Sequence, residues 1–297
     1  MRSALRKSAL LFLILALLVG IERLAHYLTD DFGYGSISSN LAYHPEWDID
    51  ISKEELSQVR NILDQPYTYL SSGSQSYVFV SSDQQYVLKF FKNKRWRLSP
   101  IIDALPLPPS LSAKKAHWKA KKKETVYATF GSCLISFKEF KEETGTLFVH
   151  LNKTPIDLTL TLKDRIGMKH KINLDDVEFV LQKRAIPTDD YLLSLKKEGK
   201  TKEAEKALAS LLAFTTMRAE KGYSDKDPHP IRNFGFIDGA PLEIDIGGFH
   251  RDPKKDLTYY RTTELSRIEK KLLPWLEKNY PELLPETKKT LQEYSKP

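Results

Sequence analysis

The chain of 297 residues holds one cysteine, Cys133. A lone thiol excludes an intrachain disulfide and any zinc site built on cysteines. Beside Leu134 and Ile135 it reads as a small core residue without a chemical role. Internal repeats and low-complexity tracts are also missing. With 41% hydrophobic and 29% charged residues, the composition is that of a folded chain with a sizeable core. No RNA- or DNA-binding motif accompanies the formal net charge of +7, so nucleic acid is not expected as a partner. The charge favours anionic partners in general. Much of it lies in Lys114–Lys123, which carries six lysines with His117 and Trp118. A solvated helix face is the plain reading of that run, and a lipid headgroup or substrate contact the sharper one.

A single apolar run approaches membrane length. It extends from Ala9 to Ile21, behind Arg2, Arg6 and Lys7, and Glu22 and Arg23 close it. A spanning helix takes roughly 20 apolar residues, so the run suits the h-region of a signal peptide. Yet no good small-x-small cleavage site follows, Leu18-Val19-Gly20 and Arg23-Leu24-Ala25 both being poor. Basic residues at the ends can snorkel, which lets a helix from about Leu5 to Leu28 span a thin bilayer. Residues 1–28 are therefore read as an uncleaved signal anchor, with the membrane as a partner. The basic flank favours a cytoplasmic N-terminus and places the rest of the chain outside the cytoplasm of the producing cell.

Residues 29–51, rich in Gly, Ser, Asn and Asp, read as a linker. Ser52 and Glu55 are spaced as a capping box for a helix ending near Leu63. Two β-patterned runs, Tyr67–Val80 and Tyr86–Phe91, flank the turn Ser81–Gln84. A proline-rich stretch, 100–109, precedes a helical pattern from Ser112 to about Glu143, with Gly131 as a break point. Thr146–Leu151, Leu158–Leu162, His170–Ile172 and Glu178–Lys183 are strand-like. After Pro187 come helices over Asp189–Lys197 and Lys202–Lys221. A hairpin follows about Asp238-Gly239, and a charged helical tail begins at Leu257. A strand-rich half (52–186) with one long helix, then a helical half (187–297), predicts an α+β, two-lobed protein.

Three clusters carry chemistry. The first is Ser71-Ser72-Gly73-Ser74-Gln75-Ser76-Tyr77-Val78, followed by Tyr86-Val87-Leu88-Lys89. A glycine turn between strands lets backbone N–H groups approach phosphates. Strand alternation puts Val87 and Lys89 on one face. The second runs from Gly222 through Asp225, Asp227 and Asn233 to Phe236. The third is Leu242-Glu243-Ile244-Asp245-Ile246-Gly247-Gly248, an apolar strand delivering an acid onto glycines.

In this order the clusters resemble the protein kinase-like superfamily, in its small atypical bacterial branch that includes kinases for lipopolysaccharide sugars and aminoglycosides. Gly73 matches the second glycine of G-x-G-x-x-G-x-V and Val78 its valine, while Ser71 and Ser76 replace the other glycines. Lys89 matches the lysine of V-A-I-K and Val87 its alanine. Ile244-Asp245-Ile246-Gly247 resembles D-F-G in its context, with Ile246 for Phe. The catalytic loop departs from H-R-D-x-x-x-x-N: five residues separate Asp227 from Asn233, and the His and Arg are missing. No A-P-E segment is present.

The resemblance implies a bilobal fold binding ATP and Mg²⁺ between its lobes. Gly73, Val78, Val87, Lys89 and the hinge at Gln182 would bind nucleotide. Asn233 and Asp245 would hold the metal, and Asp227, with Asp225 second, would be the base. A glutamate of the long helix, Glu124 with Glu139 behind it, would orient Lys89. The acceptor would be a protein, sugar or lipid hydroxyl. Two rival readings stand beside this one: an inactive pseudokinase acting as a binding module, and a basic membrane-surface protein without nucleotide chemistry.

Overall fold

The computed structural model describes residues 2–97 and 104–296, with side chains from Leu10 onward. Of the proline-rich stretch, 100–103 lie outside the described residues, as do the side chains of Arg2, Arg6 and Lys7. Helix α1 (Arg2–Thr29) includes Leu10–Thr29, long and apolar enough to cross a membrane by length and composition. From Leu10 to Leu28 it is exposed throughout. A largely apolar helix exposed along its length suits lipid better than water, and an anchor and a signal sequence both fit it.

The stretch after α1 is a packed strap and not a free linker. Asp30 and Asp31, both with left-handed backbone (φ 55° and 59°), turn the chain back onto the domain. Phe32 enters among the rings of Tyr77, Phe79 and His170. Ile37 and Trp47 are buried. Ser39 Oγ donates to the buried Glu178 carboxyl, and Asn93 Nδ2 donates to both Glu178 (2.9 Å) and the Ile37 carbonyl (2.6 Å). Burial raises the Glu178 carboxyl above its ordinary range, and the Ser39 hydrogen bond opposes that rise. The polar composition of 29–51 masks a few well-spaced apolar residues that fasten the strap, and its serines satisfy groups beneath it.

Helix α2 (Lys53–Leu63) starts on the expected Ser52–Glu55 capping box. Strands β1 (Tyr67–Ser72), β2 (Ser76–Ser81), β3 (Tyr86–Phe91), β4 (Thr146–His150), β5 (Thr159–Lys163), β6 (Lys169–Asn173) and β7 (Phe179–Lys183) form one sheet, in the order β4-β7-β3-β2-β1-β5-β6. The two-residue period of the strands divides its side chains. Tyr77, Phe79, Leu88, Phe90, Phe179 and Leu181 pack with α2 and the strap. On the other face, Phe91, Val149 and Val180 pack on helix α3 (Pro109–Glu139), against Val126, Phe130 and Cys133. Gly131 lies inside α3 without breaking it, and a short turn, Lys141–Thr144, follows.

The chain passes to the second lobe after β7. The short strand β8 (Ile186–Pro187) pairs with β10 (Phe234–Ile237). A Cβ on Gly235 would lie 2.7 Å from the Ile186 carbonyl, so glycine there permits the close approach of the interlobe crossing. Helices α4 (Thr188–Lys197), α5 (Thr201–Glu220), α6 (Leu265–Asn279) and α7 (Leu284–Ser295) form this lobe around Leu192, Leu208, Leu212, Ile268, Leu272 and Leu276. Strand β9 (Tyr223–Asp225) pairs with β12 (Phe249–Arg251), and β10 with β11 (Ala240–Glu243). The result is the expected two-lobed α+β fold behind an N-terminal apolar helix. The hairpin β5–β6 is added at the edge of its sheet.

Candidate active site between the lobes

A cleft of about 200 Å³ lies under the β1–β2 loop, lined by Ser71–Ser76, Val78, Lys89, Arg232, Ile244 and Asp245. The loop closes on a hydrogen bond from Gly73 N–H to the Ser76 carbonyl (2.9 Å). A Cβ on Gly73 would meet nothing nearer than 4.0 Å, so the turn itself does not demand glycine. Gln75 reaches down instead of out. Its Oε1 accepts from Thr129 Oγ1 (3.3 Å) and would lie 2.9 Å from a Cβ on Gly247, so a side chain there would push the Gln75 amide aside.

Lys89 stands on β3 between Val78 of β2 and Val180 of β7, as strand register dictates. Its ammonium donates to the Ile244 carbonyl. Burial pushes its pKa below the ordinary lysine value, and the Asp245 carboxylate pulls the other way. The expected pairing of Lys89 with a helix glutamate is not formed. Glu124 is exposed, and Glu139 lies at the far end of α3 beside Tyr223. Toward Lys89 the helix presents Thr129 and Cys133, which share a pocket of about 40 Å³ with Lys89 and Asp245. The reason is helical phase: the buried face of α3 carries Val126, Thr129, Phe130 and Cys133, and Glu124 falls outside it.

Val87 and Gln182 are cross-strand partners on the face that holds Lys89, and both are buried. The Gln182 side chain donates to the Thr144 carbonyl (2.9 Å), and its Oε1 has no hydrogen-bond partner among the described residues.

The β10–β11 hairpin brings the metal candidates together. Phe234 pairs with Glu243, so Asn233 and Ile244–Asp245 meet at the open end. The Asn233 carbonyl accepts from Ile244 N–H (2.7 Å) and Asp245 N–H (3.2 Å). Asn233 Nδ2 donates to the Asp227 carbonyl (2.6 Å). Asp245 is exposed to the cleft, its Oδ1 accepting from Gly247 N–H (3.3 Å). Helix α3 fixes the segment that follows: Ser132 Oγ donates to the Ile246 carbonyl and accepts from Phe249 N–H.

The two base candidates differ sharply. Asp227 is exposed and forms an ion pair with Lys271 of α6, which holds its carboxyl below the ordinary range. Asp225 is buried, its Oδ1 accepting from Asp227 N–H (3.1 Å), with Gly248 packed against it. Behind Asp225, Arg218 bonds Glu243 (2.6 Å) and Glu264, all three fully buried. One guanidinium faces three carboxyl groups here. Burial raises Glu243 well above the carboxylate range and raises Glu264 too, with Arg218 pulling both back. Sequence reading missed Arg232, Lys271, Gln75 and this buried cluster. Arg232, Gln75 and Glu243 stand within or beside the sequence clusters and were within reach of that reading; Lys271, Arg218 and Glu264 meet them across long sequence separations.

No family model and no curated protein matches the chain. Among solved structures it is similar to the bifunctional kinase-methyltransferase WbdD, at 16% identity and TM-score 0.35 over 73% of this chain and 43% of that one. A 2.2 Å crystal structure of WbdD gives 16% identity and TM-score 0.39 over 78% and 47%. It is also similar to APH(2")-IIa in its ternary complex with streptomycin and ATP, at 14% identity and TM-score 0.26 over 82% and 89%. The chain spans less than half the length of the WbdD chains.

Proposed function

We propose that the chain is an ATP-dependent phosphotransferase, held to a membrane by α1, that places a phosphoryl group on an acceptor hydroxyl of a protein, sugar or lipid. The observation that carries this reading is the convergence of Lys89, Asp245 and Arg232, from three separate segments, beneath the Ser71–Ser76 loop. Two cations suit the charge on a nucleotide's phosphates. Asn233 and Asp245 are hard oxygen donors, and magnesium is commonly held by one or two such side chains with the substrate phosphates completing its shell. That ion, when bound, supplies neutralisation of phosphate charge. Lys89 would exchange the Ile244 carbonyl for a phosphate oxygen. Asp227, kept ionised by Lys271, would accept the hydroxyl proton, and Asp225 is too enclosed to be the first choice. A basic flank favours a cytoplasmic N-terminus, which would put the domain outside the cytoplasm.

A second reading, an inactive kinase-shaped binding module, draws on one feature: Lys89, Gly73 N–H and Gln75 Oε1 already have protein partners, the Ile244 carbonyl, the Ser76 carbonyl and Thr129 Oγ1. Thermal unfolding of the full chain in detergent, with and without Mg·ATP, separates the two. A ligand that binds only the native state raises the midpoint. The phosphotransferase reading expects a metal-dependent rise that Asp245→Ala abolishes. No shift at millimolar nucleotide would sink it.

A further inference from the structure

The hairpin β5–β6 has no part in the cleft. Strand β5 runs parallel to β1, with Thr68 opposite Lys163, so the hairpin tip lies level with Tyr69 at the loop end of β1. The tip is a fixed turn. Asp164 Oδ1 accepts from Ile166 N–H (3.1 Å) and Met168 N–H (2.8 Å), and Gly167 takes a left-handed backbone (φ 85°). That turn holds Ile166 and Met168 outward, 49% and 55% exposed.

Basic residues surround the two. Lys163, Arg165, Lys169 and Lys171 are all exposed. Lys163 and Lys169 are direct cross-strand partners, and Lys171 stands opposite Thr161, while Leu160, Leu162 and Ile172 fill the buried face. Like charges directly opposite one another destabilise a strand pair. Among the described residues these three lysines form no ion pair with an acid, so their charges are not used in one within the fold. The tip is also joined to the end of α1. Tyr69 Oη donates to the Asp30 carboxylate (2.9 Å), Phe32 packs edge-on against His170 (5.3 Å), and His170 contacts Asp164 (2.8 Å).

We infer that the β5–β6 tip is a membrane-contact element: Ile166 and Met168 enter the interfacial layer of an anionic leaflet at the side where α1 emerges, and Lys163, Lys169 and Lys171 meet its headgroups. Charge complementarity and continuity with α1 both favour a bilayer as the occupant. Near an anionic surface each lysine strengthens attachment about five-fold. The inference rests on α1 spanning the bilayer, and it holds whether or not the cleft transfers phosphate.

The test uses the full chain reconstituted in vesicles, with Ile166→Cys carrying an environment-sensitive fluorophore and Lys197→Cys as the control position. Cys133 stays unlabelled, because it is buried and its thiol is pushed up to about 12. In vesicles containing phosphatidylserine, the label at 166 shifts to the blue and is quenched by lipid-borne nitroxide, and the label at 197 is not. Changing Lys163, Lys169 and Lys171 to Gln together, or using phosphatidylcholine alone, abolishes most of the quenching. Chain that fails to float with vesicles at alkaline pH overturns the anchor and the inference with it. Chain that floats while position 166 stays unquenched overturns the inference alone. Equal quenching in both lipids removes the headgroup contact, and a blue shift in detergent that grows with protein concentration assigns the tip to a second copy; either result overturns it.

Discussion

Glu243 and Asp245 are separated by one residue and have opposite surroundings. Glu243 is fully buried against Arg218, with Glu264 and Asp225 beside it, and among the described residues one of its oxygens has no hydrogen-bond partner. Asp245 opens onto the cleft beside Lys89 and Arg232. The first set joins β11, α5 and the helical segment before α6 where water cannot screen it. The second faces solvent, where a ligand can replace what it touches. The contrast separates carboxylates that hold the lobe together from a carboxylate that opens onto the cleft.

The largest effect is expected from Arg218→Ala. It strands buried carboxyl groups and should cost about 3–5 kcal/mol in chemical denaturation. A loss below 1 kcal/mol would erase the distinction between the two regions. Asp245→Ala should do the reverse, changing stability by no more than about 0.5 kcal/mol while lowering ATP turnover at least about 100-fold.

Two pH profiles sharpen the contrast, with opposite signs. The Glu243 pKa is raised by folding, so its contribution is fully present below the unfolded value of about 4.3. It is lost as pH rises through the folded value. Glu243→Gln stays neutral, so its stability relative to the parent should improve as pH rises from acid to neutral. The Asp227 pKa is lowered by Lys271, so its contribution is present above the unfolded value and lost as pH falls through the folded one. The Asp227 side chain is 70% exposed. Lys271→Ala should therefore cost under about 1 kcal/mol at neutral pH, less in high salt, and nothing in acid. Glu124→Ala should change neither stability nor turnover, since that side chain is exposed on α3.

The local parts of this architecture were legible because short-range chemistry sets them. The Ser52–Glu55 box, the alternation that places Val87 and Lys89 on one face, and the hairpin that carries Asn233 to Asp245 each depend on neighbours in sequence. What escaped depends on distant pairing. Lys271 meets Asp227 from α6, and Ser39 meets Glu178 from the strap. Glu124 failed for a third reason. A long charged helix offers glutamates around its circumference, and only packing selects which face meets the sheet.

The strap between α1 and the sheet sets how far the domain can travel. A flexible segment of 30–51 would give the domain an end-to-end reach of about 26 Å and free rotation at the bilayer surface. Fastened at Phe32, Ile37, Ser39 and Trp47, it leaves almost none of that search volume. Were α1 to span a bilayer, the domain would stand at one height and turn with its helix. On the proposed function, an acceptor would have to reach that height in a compatible orientation, and lengthening the strap would enlarge the set of reachable acceptors without altering a residue of the cleft.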